Sequence, residues 1–165
     1  MLEHYKSFLD HVFADIEKMG IDVSHFDLDH IAYTASTKDE YETLRAEILE
    51  MGKLVGEDPV GGRRVGVVLL NTDLKYKERN IPGIELIEPV QDKPTETRLD
   101  HIEFVTPMGF KNLMETYPNI PWDTSSMDRP EYPHLKVKGL QVKFHELSIF
   151  DTIEKQHSAR KEQDN

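Results

Sequence analysis

Apolar residues recur at three- and four-residue intervals at the start of the chain: Leu2, Tyr5, Leu9, Val12, Ile16 and Met19. That period puts them on one stripe of a helix, and Gly20 supplies the stop. Residues 28–35 form instead a dense run of apolar and β-branched side chains, the pattern of a buried strand. Thr37 with Glu40 three residues on is a capping-box signature, and Tyr41, Leu44, Ile48 and Met51 carry the helix behind it to Gly52. Three strands are predicted next, over 53–58, 63–71 and 83–88, punctuated by Gly61-Gly62 and Pro82-Gly83.

The pattern then begins again. A strand is predicted over 99–106, followed by a short helix over 107–117 whose apolar side is Phe110, Leu113 and Met114. Further strands are predicted over 122–127, 135–138 and 140–147. Ser148 with Asp151 opens a last helix through Ile149 and Ile153, and the polar tail after Gln156 is expected to fray. The order is helix, βαβββ, βαβββ, helix. A literal repeat marks the same division: Leu28-Asp29-His30-Ile31 returns as Leu99-Asp100-His101-Ile102, each at the start of its half's first strand. The expected fold is α+β, one domain over 1–165. It has an N-terminal helix over 1–20, βαβββ modules over 28–90 and 98–147, and a C-terminal helix and tail over 148–165.

Composition narrows the function. A chain of 165 residues with 38% hydrophobic positions can bury a sizeable core. It has no apolar run long enough to span a bilayer. Glu3, Asp10, Asp15 and Glu17 do not suit a signal peptide, so the expected location is the cytoplasm. A net charge of −11 repels phosphate backbones and anionic lipid, which argues against nucleic-acid and membrane partners. The basic clusters Arg63-Arg64 and Lys75, Lys77, Arg79 are short and interleaved with acidic or apolar residues. With no cysteine there is no disulfide or thiolate chemistry, and any metal must be held by nitrogen and oxygen.

Of the eight histidines, His4, His11, His25, His134 and His157 fall in the first helix, loops or tail and read as surface or structural. His30, His101 and His145 fall in predicted strands. If the halves pack about an approximate twofold axis, His30 and His101 approach each other across it, and neutral imidazole is a common metal ligand. Glu85 lies between apolar residues of its strand. His145 and Glu146 point to opposite faces, so only one can enter a given cavity. The resulting set is two histidines, one carboxylate, and one further histidine or carboxylate. Singly, a strand histidine is ordinarily structural and a strand glutamate ordinarily faces water; the matched positions in a repeat are what point to a site. Glu103 shares a strand face with His101 and could orient a ligand by hydrogen bonding, act as a general base or replace a ligand. Arg63, after the glycine pair, could clamp a substrate carboxylate or phosphate, though a charged turn residue is the commoner case. Strand alternation points Asp29 and Asp100 away from the histidines, to satisfy backbone or pair at the sheet edge.

The Asp-His-Ile strand openings, Gly62-Arg63, Glu85-Leu86, His101-Ile102-Glu103, Thr124-Ser125-Ser126, and Lys143-Phe144-His145 followed by Ser148-Ile149 together resemble the YecM family. The resemblance runs over about 28–155. That family is placed in the vicinal oxygen chelate superfamily, with glyoxalase I, methylmalonyl-CoA epimerase and the extradiol dioxygenases. The resemblance implies two βαβββ modules forming an incomplete barrel around one divalent metal ion, with zinc, iron, manganese, nickel and cobalt all compatible. Its ligand positions correspond to His30, Glu85, His101 and, in the fourth slot, His145, with Glu146 the fallback if the register slips by one. Many superfamily enzymes have glutamate in that slot; histidine there would leave Glu103 as the catalytic base, with Arg63, from its place after the glycine pair, the candidate substrate-binding residue. The implied function is a metal-dependent isomerase, epimerase, lyase or dioxygenase acting on a small oxygenated metabolite, as a monomer or homodimer. The alternatives are a module that sequesters a small molecule without catalysis, as bleomycin-resistance proteins do, and a degenerate structural domain.

Overall fold

Eight strands form one open mixed sheet in the computed structural model, which describes residues 2–90, 93 and 95–163. The elements are α1 (Tyr5–Met19), β1 (Asp27–Thr34), α2 (Lys38–Met51), β2 (Gly52–Val60), β3 (Arg63–Tyr76), β4 (Arg79–Ile87), β5 (Arg98–Val105), α3 (Gly109–Thr116), β6 (Trp122–Asp123), β7 (Leu135–Val137), β8 (Val142–His145) and α4 (Ile149–Gln163). Across the sheet they run β2-β3-β4-β1-β5-β8-β7-β6. β1 lies parallel to β4 and β5 parallel to β8, while β1 and β5 pair antiparallel. Each βαβββ stretch therefore sets its first and last strands side by side, and the two stretches join through their first strands.

Strand alternation divides the sheet into two chemistries. On one face Ile31, Ile102, Phe104, Val142 and Phe144 are buried in a core with Leu9, Val12 and Ile16 of α1 and Phe110 and Leu113 of α3. On the same face Tyr33, Ile84 and Leu86 pack with Tyr41, Leu44 and Ile48 of α2. The Phe104 and Phe144 rings stack with centroids 5.9 Å apart. Removing each of these side chains from water is worth about 1.5–3 kcal/mol. The opposite face carries the polar residues His30, Glu85, His101, Glu103 and His145, all buried. α4 lies on this second face, where Ile149 and Ile153 pack with Val67.

Local chemistry sets the element ends. Gly20 adopts φ +74° and closes α1 through amide bonds back to Glu17 and Ile16, and the Thr37 side chain accepts from the Glu40 amide at the start of α2. Gly61 and Gly62, at φ +60° and +81°, make the two-residue hairpin that sets Arg63 opposite Val60. Three expectations needed correction. Pro82-Gly83 does not end a strand: Pro82 falls in the register shift between the Leu69–Gly83 and Leu74–Ile81 pairs, where the ladder asks for no N–H. β6 stops at Asp123 because that carboxylate accepts the Ser125 amide and turns the chain. α4 continues through the polar tail to Gln163, with Arg160 pairing with Asp58 at 3.0 Å; the last two residues of the tail lie outside the described residues. Among the described residues no helix is long and apolar enough to cross a membrane.

Gly83 connects core packing to the polar face. A Cβ there would sit 2.7 Å from the Phe150 ring and 3.0 Å from His30 Cβ. Gly83→Ala is expected to lower the unfolding free energy by about 1–3 kcal/mol in urea titrations. An unchanged midpoint would mean that Phe150 and β1 yield without cost.

Candidate metal centre

The antiparallel pairing of β1 with β5 is interrupted twice, and symmetrically. Leu28 pairs with Phe104 and His30 with Glu103, so Asp29 is an extra residue on β1. Ala32 pairs with His101 and Tyr33 with Leu99, so Asp100 is an extra residue on β5. Each is a β-bulge, and a bulge breaks the alternation that would separate neighbouring side chains. The Asp29 carboxylate consequently sits 3.1 Å from His30 Nδ1, and the Asp100 carboxylate 2.8 Å from His101 Nδ1. A carboxylate only accepts, so each Nδ1 carries the proton and each Nε2 is turned inward. This corrects the expectation that both aspartates point away. Asp29 does meet backbone as well, accepting the Ile149 amide at the head of α4.

Inward of the imidazoles, β4 and β5 each add a carboxylate. Glu85 lies opposite Ala32, whose other neighbour is His101, and Glu103 lies opposite His30. His30 Nε2 is 3.8 Å from Glu85 and 3.4 Å from Glu103; His101 Nε2 is 3.7 Å from Glu85 and 2.9 Å from Glu103. One donor atom from each of the four residues lies within 4.8 Å of the other three, and all four residues are buried. Donors about 2.1 Å from a shared tetrahedral ion would be about 3.4 Å apart, in the middle of these separations. His30 Nε2 and Glu103 Oε2 are buried with no hydrogen-bond partner. A divalent ion would satisfy both atoms, and the nitrogen and oxygen donors suit zinc, iron, manganese, nickel or cobalt.

The sequence matches the family described as YecM protein over residues 1–149. The chain belongs to the YecM family. It is 28% identical over 103 residues to an uncharacterised protein of Haemophilus influenzae, covering 62% of this chain and 54% of that one. The chain thus spans about half the length of that relative. The fold is similar to that of a solved protein described as Structural Genomics, Protein EC4020, with a TM-score of 0.69 at 21% identity over 91% of this chain and 90% of the other.

In this YecM-family chain the strand register relates the two halves position by position. Ile31 pairs with both Ile102 and Ile84, and Ile102 pairs with Val142, so the halves superimpose by register. On that register Glu103 takes the place of Ala32, and Lys143 takes the place of Glu85. The slot matching Glu85 therefore holds a lysine, with His145 two residues further along the same face. His145 is buried and its Nε2 contacts Glu103 Oε2, whereas Glu146 is exposed and accepts the Phe110 amide at the start of α3. Lys143 Nζ is 3.1 Å from Glu103 Oε1. Glu103 thus stands at the centre of the cluster rather than at its edge.

A cavity of about 200 Å³ opens over the cluster, lined by Glu85, Glu103, His145 and Arg63. His134, expected from its loop position to be surface or structural, lines it too. It is buried, its Nδ1 lies 2.8 Å from the Tyr132 carbonyl, and its Nε2 has no partner. A carbonyl only accepts, so Nδ1 carries the proton and Nε2 presents a lone pair. No spacing in the sequence signals this position.

Charge in the cluster is unevenly shared. Burial alone would lower the His30 pKa, but Glu103, Asp29 and Glu85 together raise it to about 9. Burial lowers that of His145, outweighing the pull of Glu103. Burial would raise the Glu103 carboxyl, yet His145, Lys143 and His30 hold it well below the usual range. Burial pushes His134 down to about 4. In the metal-free chain the His30 proton therefore stabilises the fold. Its contribution is complete below the ordinary histidine value of 6.5 and is lost as pH rises through about 9. Chelator-treated protein is expected to lose on the order of 2–3 kcal/mol of unfolding free energy across that window. His30→Gln should flatten the profile; an equally steep profile in the variant would assign the loss to another group.

Proposed function

We propose that this protein binds one divalent metal ion through His30, Glu85, His101 and Glu103. In this reading it is a metal-dependent enzyme of the vicinal oxygen chelate superfamily, an isomerase, epimerase, lyase or dioxygenase acting on a small oxygenated metabolite. The observation that carries the reading is the ring of alternating imidazole and carboxylate donors, buried at the junction of two register-matched βαβββ stretches and open to one cavity. Glu103 replaces His145 as fourth ligand because it is the carboxylate that reaches both His30 and His101.

A bound divalent ion supplies Lewis acidity toward neighbouring substrate oxygens. The chain's own residues do the rest. Asp29 and Asp100 fix the tautomer and orientation of the two imidazoles. Lys143 and His145 offset the buried charge of Glu103. With Glu103 engaged as a ligand, His134 Nε2 is the group free to take a proton from a substrate in the cavity. Arg63 is available to orient the substrate.

Purified without an affinity tag or chelator, the chain is expected to carry about one divalent ion by elemental analysis. His30→Ala and His101→Ala should remove it; retained metal in both variants would sink the proposal. Glu103→Gln separates the two roles of that residue. As a ligand its loss weakens metal binding by roughly 10–100-fold, whereas a base could be removed with the metal kept.

The register match gives a second test. Glu103→Ala with Lys143→Glu rebuilds the arrangement of the first half in the second. The double variant is expected to recover at least part of the metal affinity that Glu103→Ala loses, as read by competition with a chromophoric chelator. A double variant as weak as the single one would show that β8 cannot deliver a donor.

A further inference from the structure

Above the candidate ligands the cavity changes sign. Its wall includes Arg63, Arg129, Lys136 and Lys143, a concentration of cations in a chain with net charge −11. Lys136 and Lys143 are directly opposite each other on β7 and β8, a like-charge pairing that destabilises a sheet. Lys143 is held by Glu103, but Arg63, Arg129 and Lys136 form no ion pair with any described residue. Asp123, opposite Lys136 on β6, is turned to the Ser125 amide instead. Burial first, then Lys143 and Arg129, lower the Lys136 pKa against the opposing pull of Asp123 and Glu103. A divalent ion would neutralise Glu85 and Glu103, leaving Glu131 as the one other acid lining this cavity. At about 200 Å³ the space is smaller than pockets for drug-sized ligands, which run to roughly 300–1,000 Å³.

We infer that the cavity takes a small anionic metabolite, with Arg63, Arg129 and Lys136 holding its carboxylate or phosphate while a neighbouring oxygen reaches the metal centre. This rests on the metal-binding reading above and names its substrate class. Guanidinium and ammonium donors that form no ion pair within the chain are suited to such groups.

Calorimetry on the full chain loaded with Zn²⁺ tests this with three probes: oxalate, inorganic phosphate and the uncharged oxamide. Oxalate or phosphate is expected to bind and oxamide to bind at least about tenfold more weakly. Arg63→Gln, Arg129→Gln and Lys136→Gln should each weaken the anion by about tenfold while leaving Zn²⁺ affinity unchanged. Whether oxalate or phosphate binds more tightly separates a carboxylate ligand from a phosphate one. Anion affinity unchanged in all three variants, or oxamide equal to oxalate, overturns the inference. If the wild type takes up no Zn²⁺, the metal reading fails by itself, and phosphate titrated into the metal-free chain decides this one. Binding that an Arg129→Gln, Lys136→Gln double variant loses upholds the cationic site, and absence of binding overturns it.

Discussion

The antiparallel contact between β1 and β5, with one extra residue in each strand, is the constraint on which the rest of the structure depends. Without the bulges, alternation would send Asp29 and Asp100 to the opposite face from His30 and His101. With them, both carboxylates reach an Nδ1, and both Nε2 atoms turn toward the same point. The same pairing sets Ile31 against Ile102 on the other face, inside the core beneath α1. One strand pair thus closes the apolar core and assembles the polar cluster. Asp29 extends the coupling further, since its carboxylate also receives the Ile149 amide that starts α4.

Burying such a cluster is costly, and the neighbours of Glu103 show how the cost is met. An isolated ionised carboxylate in this position would be expelled or protonated. Here His30, His101, Lys143 and His145 surround it from β1, β5 and β8. A protonated His30 and Lys143 keep it charged in the metal-free chain. Among the described residues, six buried side-chain atoms have no hydrogen-bond partner: His30 Nε2, Glu103 Oε2 and His145 Nε2 belong to this cluster and His134 Nε2 lines the cavity over it, while Thr106 Oγ1 and Ser126 Oγ lie outside it. Elsewhere partly buried charge is closed off: Arg64 is taken up by Glu42 and Glu88, and Arg79 by the Val23 and Phe26 carbonyls. The contrast separates a site with unmet binding capacity from ordinary structural ion pairs.

Much of the fold was legible because hydrophobic period, glycine stops and the repeated Leu-Asp-His-Ile agree with one another. The repeat brought His30 and His101 to attention, and their meeting follows from antiparallel pairing of the repeated strands. What local pattern could not reveal were the events that break pattern. The bulges at Asp29 and Asp100 leave no mark in strand alternation, so two residues that orient the imidazoles were read as facing away. Pro82 and Gly83 looked like a boundary because the register shift that admits them is a property of two paired strands, not of one. His134 was missed because it enters the cavity from just before a three-residue strand whose placement is wholly tertiary. His145 was assigned the fourth slot by family likeness, whereas the β5–β8 register sets Lys143 in the position matching Glu85.

That last difference says where the two halves have parted. In the first, the residue two places after the histidine is Ala32, and the carboxylate comes from β4 as Glu85. In the second, the carboxylate has moved inward to Glu103, and β8 offers Lys143 where the first half has its acid. Carboxylates on both last strands would leave the cavity wall acidic and suited to a neutral or cationic ligand. Moving one of them onto β5 keeps the donor at the cluster and frees β8 for a cation, beside Lys136 on β7. A fold of this kind fixes where chemistry can occur without fixing which reaction occurs. The exchange between Glu85 and Lys143 is therefore more informative about function than the features the two halves share, because it changes the charge that an incoming molecule meets.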